Sequence, residues 1–135
     1  MKIIADTSGV IALLDQADRH HHDVAQLIRI AELIIPVAIL PEVDYLATKY
    51  LGERVARAFL DDTTAGAFTY LAMEASDLSQ ATKIMGLYSD IPIGFVDASI
   101  AASGDRHHIQ NVLTLDRKHF SVIRSQQFGY FTLLP

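Results

Sequence analysis

Short apolar runs recur along the chain, and between them apolar residues space out at helical intervals. The first run, KIIAD at 2–6, predicts a buried strand that ends on Asp6. The segment after it reads VIALLD, with Val10, Leu13 and Leu14 on one face and Thr7 or Ser8 as the expected N-cap. Beyond a polar turn at 15–19, Val24, Leu27, Ile28 and Ala31 follow the i, i+3, i+4, i+7 rule and predict a helix over about 20–32. LIIP at 33–36 reads as a second strand ended by Pro36. Val43, Leu46, Ala47 and Tyr50 form the stripe of a helix over about 38–51, with Pro41 in its first turn and Gly52 at its close. A further helix, about 53–64, carries Val55, Ala56, Phe59 and Leu60. FTYLAM at 68–73 is rich in strand formers. Leu78, Ala81, Met85 and Tyr88 mark a helix over about 76–88; the turn IPIG at 91–94 leads into another, about 96–105. NVLTL at 111–115 and GYFTLL at 129–134 predict the last two strands.

Strands separated by helices or helix pairs predict a parallel sheet covered on both faces. The expected fold is a three-layer α/β/α sandwich with a central, mainly parallel sheet of 4–5 strands, forming one domain over residues 1–135. Half of the residues are hydrophobic, an apolar lean that leaves material for a partner-facing surface. There is no cysteine, which removes disulfides, thiolate metal sites and cysteine nucleophiles. The net charge of −5 argues against a strongly basic nucleic-acid binder, whose affinity rests on phosphate contacts. The apolar run after Lys2 stops at Asp6, and LIIPVAIL at 33–40 falls short of a membrane span, so a cytoplasmic protein is expected.

The chemistry is carried by acids. Asp6 and Asp116 occupy equivalent places, each ending an apolar strand, KIIAD and VLTLD. Were those strands neighbours in a parallel sheet, the two carboxylates would lie ~5 Å apart along the hydrogen-bonding direction. Either Asp alone is equally explained as a turn former or helix cap. Their matching positions point to function instead, because ligands bind at the C-terminal edge of such sheets. Asp97, in GFVDASIAAS, shares a helical stripe with Ile100, Ala101 and Gly104, where a carboxylate is costly to bury without a partner. Small neighbours from Ala98 to Ser103 let that helix lie close to the sheet. Glu42 flanks the apolar stripe through Leu46, whereas Asp44 is ~200° around the helix and points away.

Carboxylates 4 Å apart repel by about 4 kcal/mol per pair at an effective dielectric of 20, so four in one crevice call for a cation. A site of oxygen donors alone suits Mg²⁺ or Mn²⁺. Arg117 and Lys118, next to Asp116, are candidates for substrate phosphate oxygens and equally for a solvated turn. His20, His21 and His22 fan out by 100° each on a helix and cannot converge on one metal. His119 lies near Asp116 but is not counted among the site residues. Tyr45, Tyr50, Phe59 and Tyr88 read as core or partner contacts.

The order ADTS (5–8), LPEVDYL (40–46), FVDASIAA (95–102) and LTLDRKHF (113–120) resembles the PIN-domain family, in particular the VapC-type toxins of toxin–antitoxin pairs. The resemblance spans the chain and fills all four acidic positions. It implies a metal-dependent endoribonuclease acting on RNA, with Asp6, Asp97 and Asp116 as metal ligands. Glu42 would complete the acidic site, and Thr7, Ser8 and Thr114 would support it. It also implies a cognate antitoxin as partner and a homodimer. Alternatives are a PIN-like RNA-processing nuclease that is not a toxin, or a Mg²⁺-binding phospho-acceptor module. The latter wants a second acid beside Asp6 and a late Lys, and neither is in place. An adhesion-type D-x-S-x-S metal motif fails because position 10 is Val.

Overall fold

The computed structural model describes residues 1–135. The chain opens with β1 (Lys2–Ala5), α1 (Thr7–Leu14) and α2 (His21–Ile28). Then come β2 (Glu32–Pro36), a single 3₁₀ turn, α3 (Leu40–Leu51) and α4 (Glu53–Thr64). β3 (Thr69–Leu71) is followed by α5 (Ala75–Leu87) and α6 (Phe95–His107). The last quarter holds β4 (Asn111–Leu113), α7 (Arg117–Phe120), a small hairpin of β5 (Arg124–Ser125) and β6 (Gly129–Tyr130), and β7 (Thr132–Leu134).

Five strands form one sheet in the order β3-β2-β1-β4-β7, and every pairing in it is parallel. Ile3, Ile4, Ile35, Val112 and Leu113 are fully buried, as strands covered on both faces must be. Each such side chain stabilises the fold by about 1.5–3 kcal/mol. From β1 the chain steps outward to β2 and β3, then returns to lay β4 on the other side of β1. Right-handed crossovers therefore put α1 to α4 on one face and α5 with α6 on the other. The helix contacts group accordingly: α1 with α2 and α3, α3 with α4, α5 with α6. The two directions of winding part between β1 and β4. That switch point opens a crevice at the C-terminal edge of the sheet.

Two helices approach the sheet closely because they lack side chains where they touch it. In α6, Ala98 through Gly104 are all buried, and a Cβ on Gly104 would meet the Phe131 ring at 2.8 Å and the Ile109 carbonyl at 2.9 Å. In α1, a Cβ on Gly9 would stand 2.5 Å from Leu113 Cγ and 2.7 Å from the Leu113 carbonyl oxygen. A backbone oxygen cannot rotate away. Gly9→Ala is therefore expected to push α1 off β4 and destabilise the protein by about 3 kcal/mol, the upper range for overpacking. Urea unfolding read by circular dichroism checks this, and an unchanged midpoint would remove the close-packing argument.

Several local features depart from the pattern-based reading. The N-cap of α1 is Asp6, whose Oδ1 accepts from Thr7 N–H, rather than Thr7 or Ser8. α2 stops at Ile28, short of residue 32, because Glu32 is already paired in register with Lys2 and the chain must reverse first. The strand expected over 68–73 keeps three residues. Leu78, placed on the apolar stripe of α5, is half-exposed, and that helix starts instead on a capping box between Glu74 and Asp77. The strand expected over 129–134 is two: β6 pairs antiparallel with β5 and β7 parallel with β4. They part at Phe131, whose ring turns inward, edge-on to Phe120 and Phe128. No helix is long and apolar enough to cross a membrane.

Candidate active site

At the switch-point edge lies an open cavity of about 490 Å³. Asp6, Thr7, Ser8, Glu42, Asp97, Asp116 and His119 line it, with Leu46, Gly94, Phe95 and Val96 on its apolar side. The four acids come from four places: the tip of β1, the first turn of α3, the first turn of α6, and the segment between β4 and α7.

Asp6 is set by strand pairing. Ala5 registers with Leu113, and the Asp6 N–H donates to the Leu113 carbonyl at 2.9 Å, which fixes the carboxylate beside the end of β4. It is 6% exposed. Oδ1 accepts from Thr7 N–H at 2.8 Å, and Oδ2 from the Thr114 hydroxyl at 2.9 Å, with the Ser8 hydroxyl at 3.4 Å. Burial pushes the Asp6 carboxyl up from 3.8 to about 6; Thr114 and Thr7 pull it down, while Asp97 and Glu42 add to the rise. Thr114 is fully buried and has one proton, with Asp6 Oδ2 and the Asp116 carbonyl both in reach. An ionised Asp6 takes that proton as the stronger, charge-assisted bond. Ser8 bridges the same strands, accepting from Leu115 N–H at 3.0 Å.

Glu42 is exposed at the cavity mouth, and its Oε1 accepts from the buried Thr7 hydroxyl at 2.8 Å, tying α3 to α1. Asp97 is half-buried, and its Oδ2 lies 2.7 Å from His119 Nδ1. Burial raises the Asp97 carboxyl above the usual carboxylate range; His119 opposes the rise, and Asp116 and Glu42 reinforce it. Asp116 is exposed and caps α7, accepting from Lys118 N–H at 3.2 Å. Asp44 is exposed and outside the cavity lining.

Arg117 and Lys118, offered as phosphate contacts or as a solvated turn, are both exposed. Neither lines the cavity, and the Arg117 guanidinium donates to the Pro135 carbonyl at 2.7 Å. His119, left out of the sequence-based site, belongs to the lining. Its position three residues after Asp116 in a helix is the signal that could have found it. Of the histidine run, His21 Nδ1 bonds the Ala12 carbonyl and His20 bonds Arg19, so no metal cluster arises there.

The carboxylates share the cavity without closing into a cage of three metal ligands. Glu42 bonds Thr7 and Asp97 bonds His119, so each has a protein donor on one oxygen. The donor chemistry still fits a hard cation. All four acids offer only oxygen, and Asp6 and Asp97 have carboxyls displaced upward by burial and by neighbouring acids. A bound cation would reverse that displacement.

The family profile described as PIN domain matches residues 3–125. Ribonuclease VapC26 of Mycobacterium tuberculosis is 33% identical over 135 residues, covering 98% of this chain and all of that protein. The crystal structure of M. tuberculosis VapC20, titled a Sarcin-Ricin loop cleaving toxin, superposes with a TM-score of 0.83 at 22% identity, over 98% of this chain and 99% of that one. A toxin–antitoxin complex from Klebsiella pneumoniae superposes with a TM-score of 0.68 at 21% identity, over 90% of this chain and 92% of that chain. At those identities the two structures support the fold.

Proposed function

Because the chain belongs to the PIN-domain family, we propose that its acid-lined cavity is the active site of a metal-dependent endoribonuclease, the toxin of a toxin–antitoxin pair. One observation carries the reading: carboxylates from four separate elements open onto one cavity at the switch point of the sheet. A fold has no packing reason to gather Asp6, Glu42, Asp97 and Asp116 there, since each brings charge that opposes the others.

Asp6, Asp97 and Asp116 are the residues to hold Mg²⁺ or Mn²⁺. When bound, such an ion polarises the scissile phosphate and acidifies attacking water. The protein's own part is orientation and proton transfer. Thr114 and the Thr7 N–H aim both oxygens of Asp6, and Asp6 in turn sits where strand pairing places it. Glu42, at the mouth and held by Thr7 through one oxygen, keeps its other oxygen for a water proton. Leu46, Val96 and Phe95 form the cavity's apolar wall.

A cognate antitoxin is the partner this reading implies, and half-exposed or exposed Leu78, Leu87 and Ile91 supply apolar surface for it or for a second copy of this chain. Purified protein incubated with total RNA and Mg²⁺ or Mn²⁺ should release discrete fragments on a denaturing gel. RNA that stays intact under every divalent ion tried would sink the nuclease reading.

A further inference from the structure

We propose that His119 is a positioning residue: its Nδ1–H fixes Oδ2 of Asp97 and leaves the other oxygen, Oδ1, free for a cation. This rests on reading the cavity as a cation site. Nδ1 and Oδ2 are 2.7 Å apart, the short distance of a charge-assisted bond. An ionised carboxylate only accepts, so Nδ1 carries the proton.

The need for a donor at this point follows from comparing the two central acids. Asp6 takes bonds from a backbone N–H and a buried hydroxyl, so both its oxygens are oriented. Asp97 sits in the first turn of α6, a helix of small residues, and His119 is its one hydrogen-bonding side chain. Without that bond the carboxylate is free to rotate about χ2, a broad torsion for Asp.

The fold holds His119 independently of the bond it makes. Phe120, next in α7, is 1% exposed and packs edge-on against Phe131. Ser121 N–H donates to the Arg117 carbonyl, and Val122 and Ile123 N–H donate to the His119 carbonyl. Asp116 caps the same helix. The imidazole is therefore spare as a structural strut, and its ring lines the cavity instead. Donors that orient metal-ligating side chains change metal affinity by 10–100-fold when removed.

Calorimetric titration of Mn²⁺ into the wild type, His119→Ala, His119→Asn and His119→Gln at one pH tests this. Asn places an amide N–H where Nδ1 stood, whereas Gln reaches the position of Nε2. His119→Ala and His119→Gln should weaken Mn²⁺ by at least tenfold, and His119→Asn should recover most of the loss. Thermal melts in chelator should be alike for all four. Equal affinity for all four would overturn the inference and leave the cation site standing. Equal loss in Ala, Asn and Gln would also overturn it, because the imidazole would then be a ligand or a packing element. Should His119→Ala fail to fold, the Asn–Gln contrast decides the question by itself. A wild type that takes up no Mn²⁺ at millimolar concentration would refute the cation site itself, and this inference with it.

Discussion

If Asp6 holds the cation as proposed, Asp6→Asn is expected to lower RNA cleavage by roughly three orders of magnitude, since losing a metal ligand forfeits several kcal/mol of transition-state stabilisation. The same change should stabilise the cation-free protein. Burial lifts the Asp6 carboxyl from 3.8 to about 6, so the folded state resists its ionisation. A group whose folded value lies above its unfolded one adds stability at low pH, and that stability is lost as pH rises from 3.8 through 6. At pH 7 the wild type carries the full penalty, about 3 kcal/mol for a displacement of about two units. Asn keeps the Oδ1 bond to Thr7 N–H but offers Thr114 a donor in place of an acceptor, which takes back part of the gain. A net of about 1–2 kcal/mol remains, or roughly 5 °C in melting temperature. The gain should be present at pH 7 in chelator and absent near pH 4. An active Asp6→Asn enzyme would remove Asp6 from the site. A mutant less stable than wild type at pH 7 would show that its carboxylate is satisfied without a cation.

That coupling of function to local instability explains what was legible in the sequence. A carboxylate at the end of KIIA or VLTL contradicts the apolar run before it, and such contradictions mark functional positions. Periodicity also separated Glu42 from Asp44, because ~200° of helix puts them on opposite sides whatever the tertiary structure. Glu42 lines the cavity and Asp44 does not. Elements with long periodic stripes, such as α3 and α4, could be placed to within a residue or two for the same reason.

What escaped was set by contacts distant in sequence. Thr7 bonds Glu42 across 35 residues, Thr114 bonds Asp6 across 108, and His119 bonds Asp97 across 22. No local pattern encodes those meetings. Arg117, offered by its nearness to Asp116 as a phosphate contact or a solvated turn, gives its guanidinium to the Pro135 carbonyl 18 residues on. α7 and the β5–β6 hairpin are too short for a periodic signal; Phe120, Phe128 and Phe131 packing together hold that region in place. Tyr50, placed by periodicity on the apolar stripe of α3, is exposed, as is Tyr45, with the Lys49 ammonium near both rings.

Excess chelator is expected to abolish cleavage, and added Mg²⁺ or Mn²⁺ to restore it, with an affinity that depends on pH in a direction fixed by Asp6. Cation and proton compete for the same carboxylate. With its carboxyl at about 6, Asp6 is nearly all ionised at pH 7 and about nine-tenths protonated at pH 5. Asp97 is displaced upward as well, so the competition acts on both. The apparent Mn²⁺ affinity should therefore fall by about tenfold or more between pH 7 and pH 5. The reciprocal effect appears in stability: Mn²⁺ at 100 times its Kd should add about 2.7 kcal/mol at pH 7. Much less should be gained at pH 5 from the same total Mn²⁺. Calorimetry for affinity and thermal melts for stability read the two sides of one linkage. Cleavage that continues at full rate in chelator would overturn the metal-dependent mechanism. A Kd indifferent to pH between 5 and 7 would place the cation away from Asp6, and with it away from the tip of the strand on which the cavity is built.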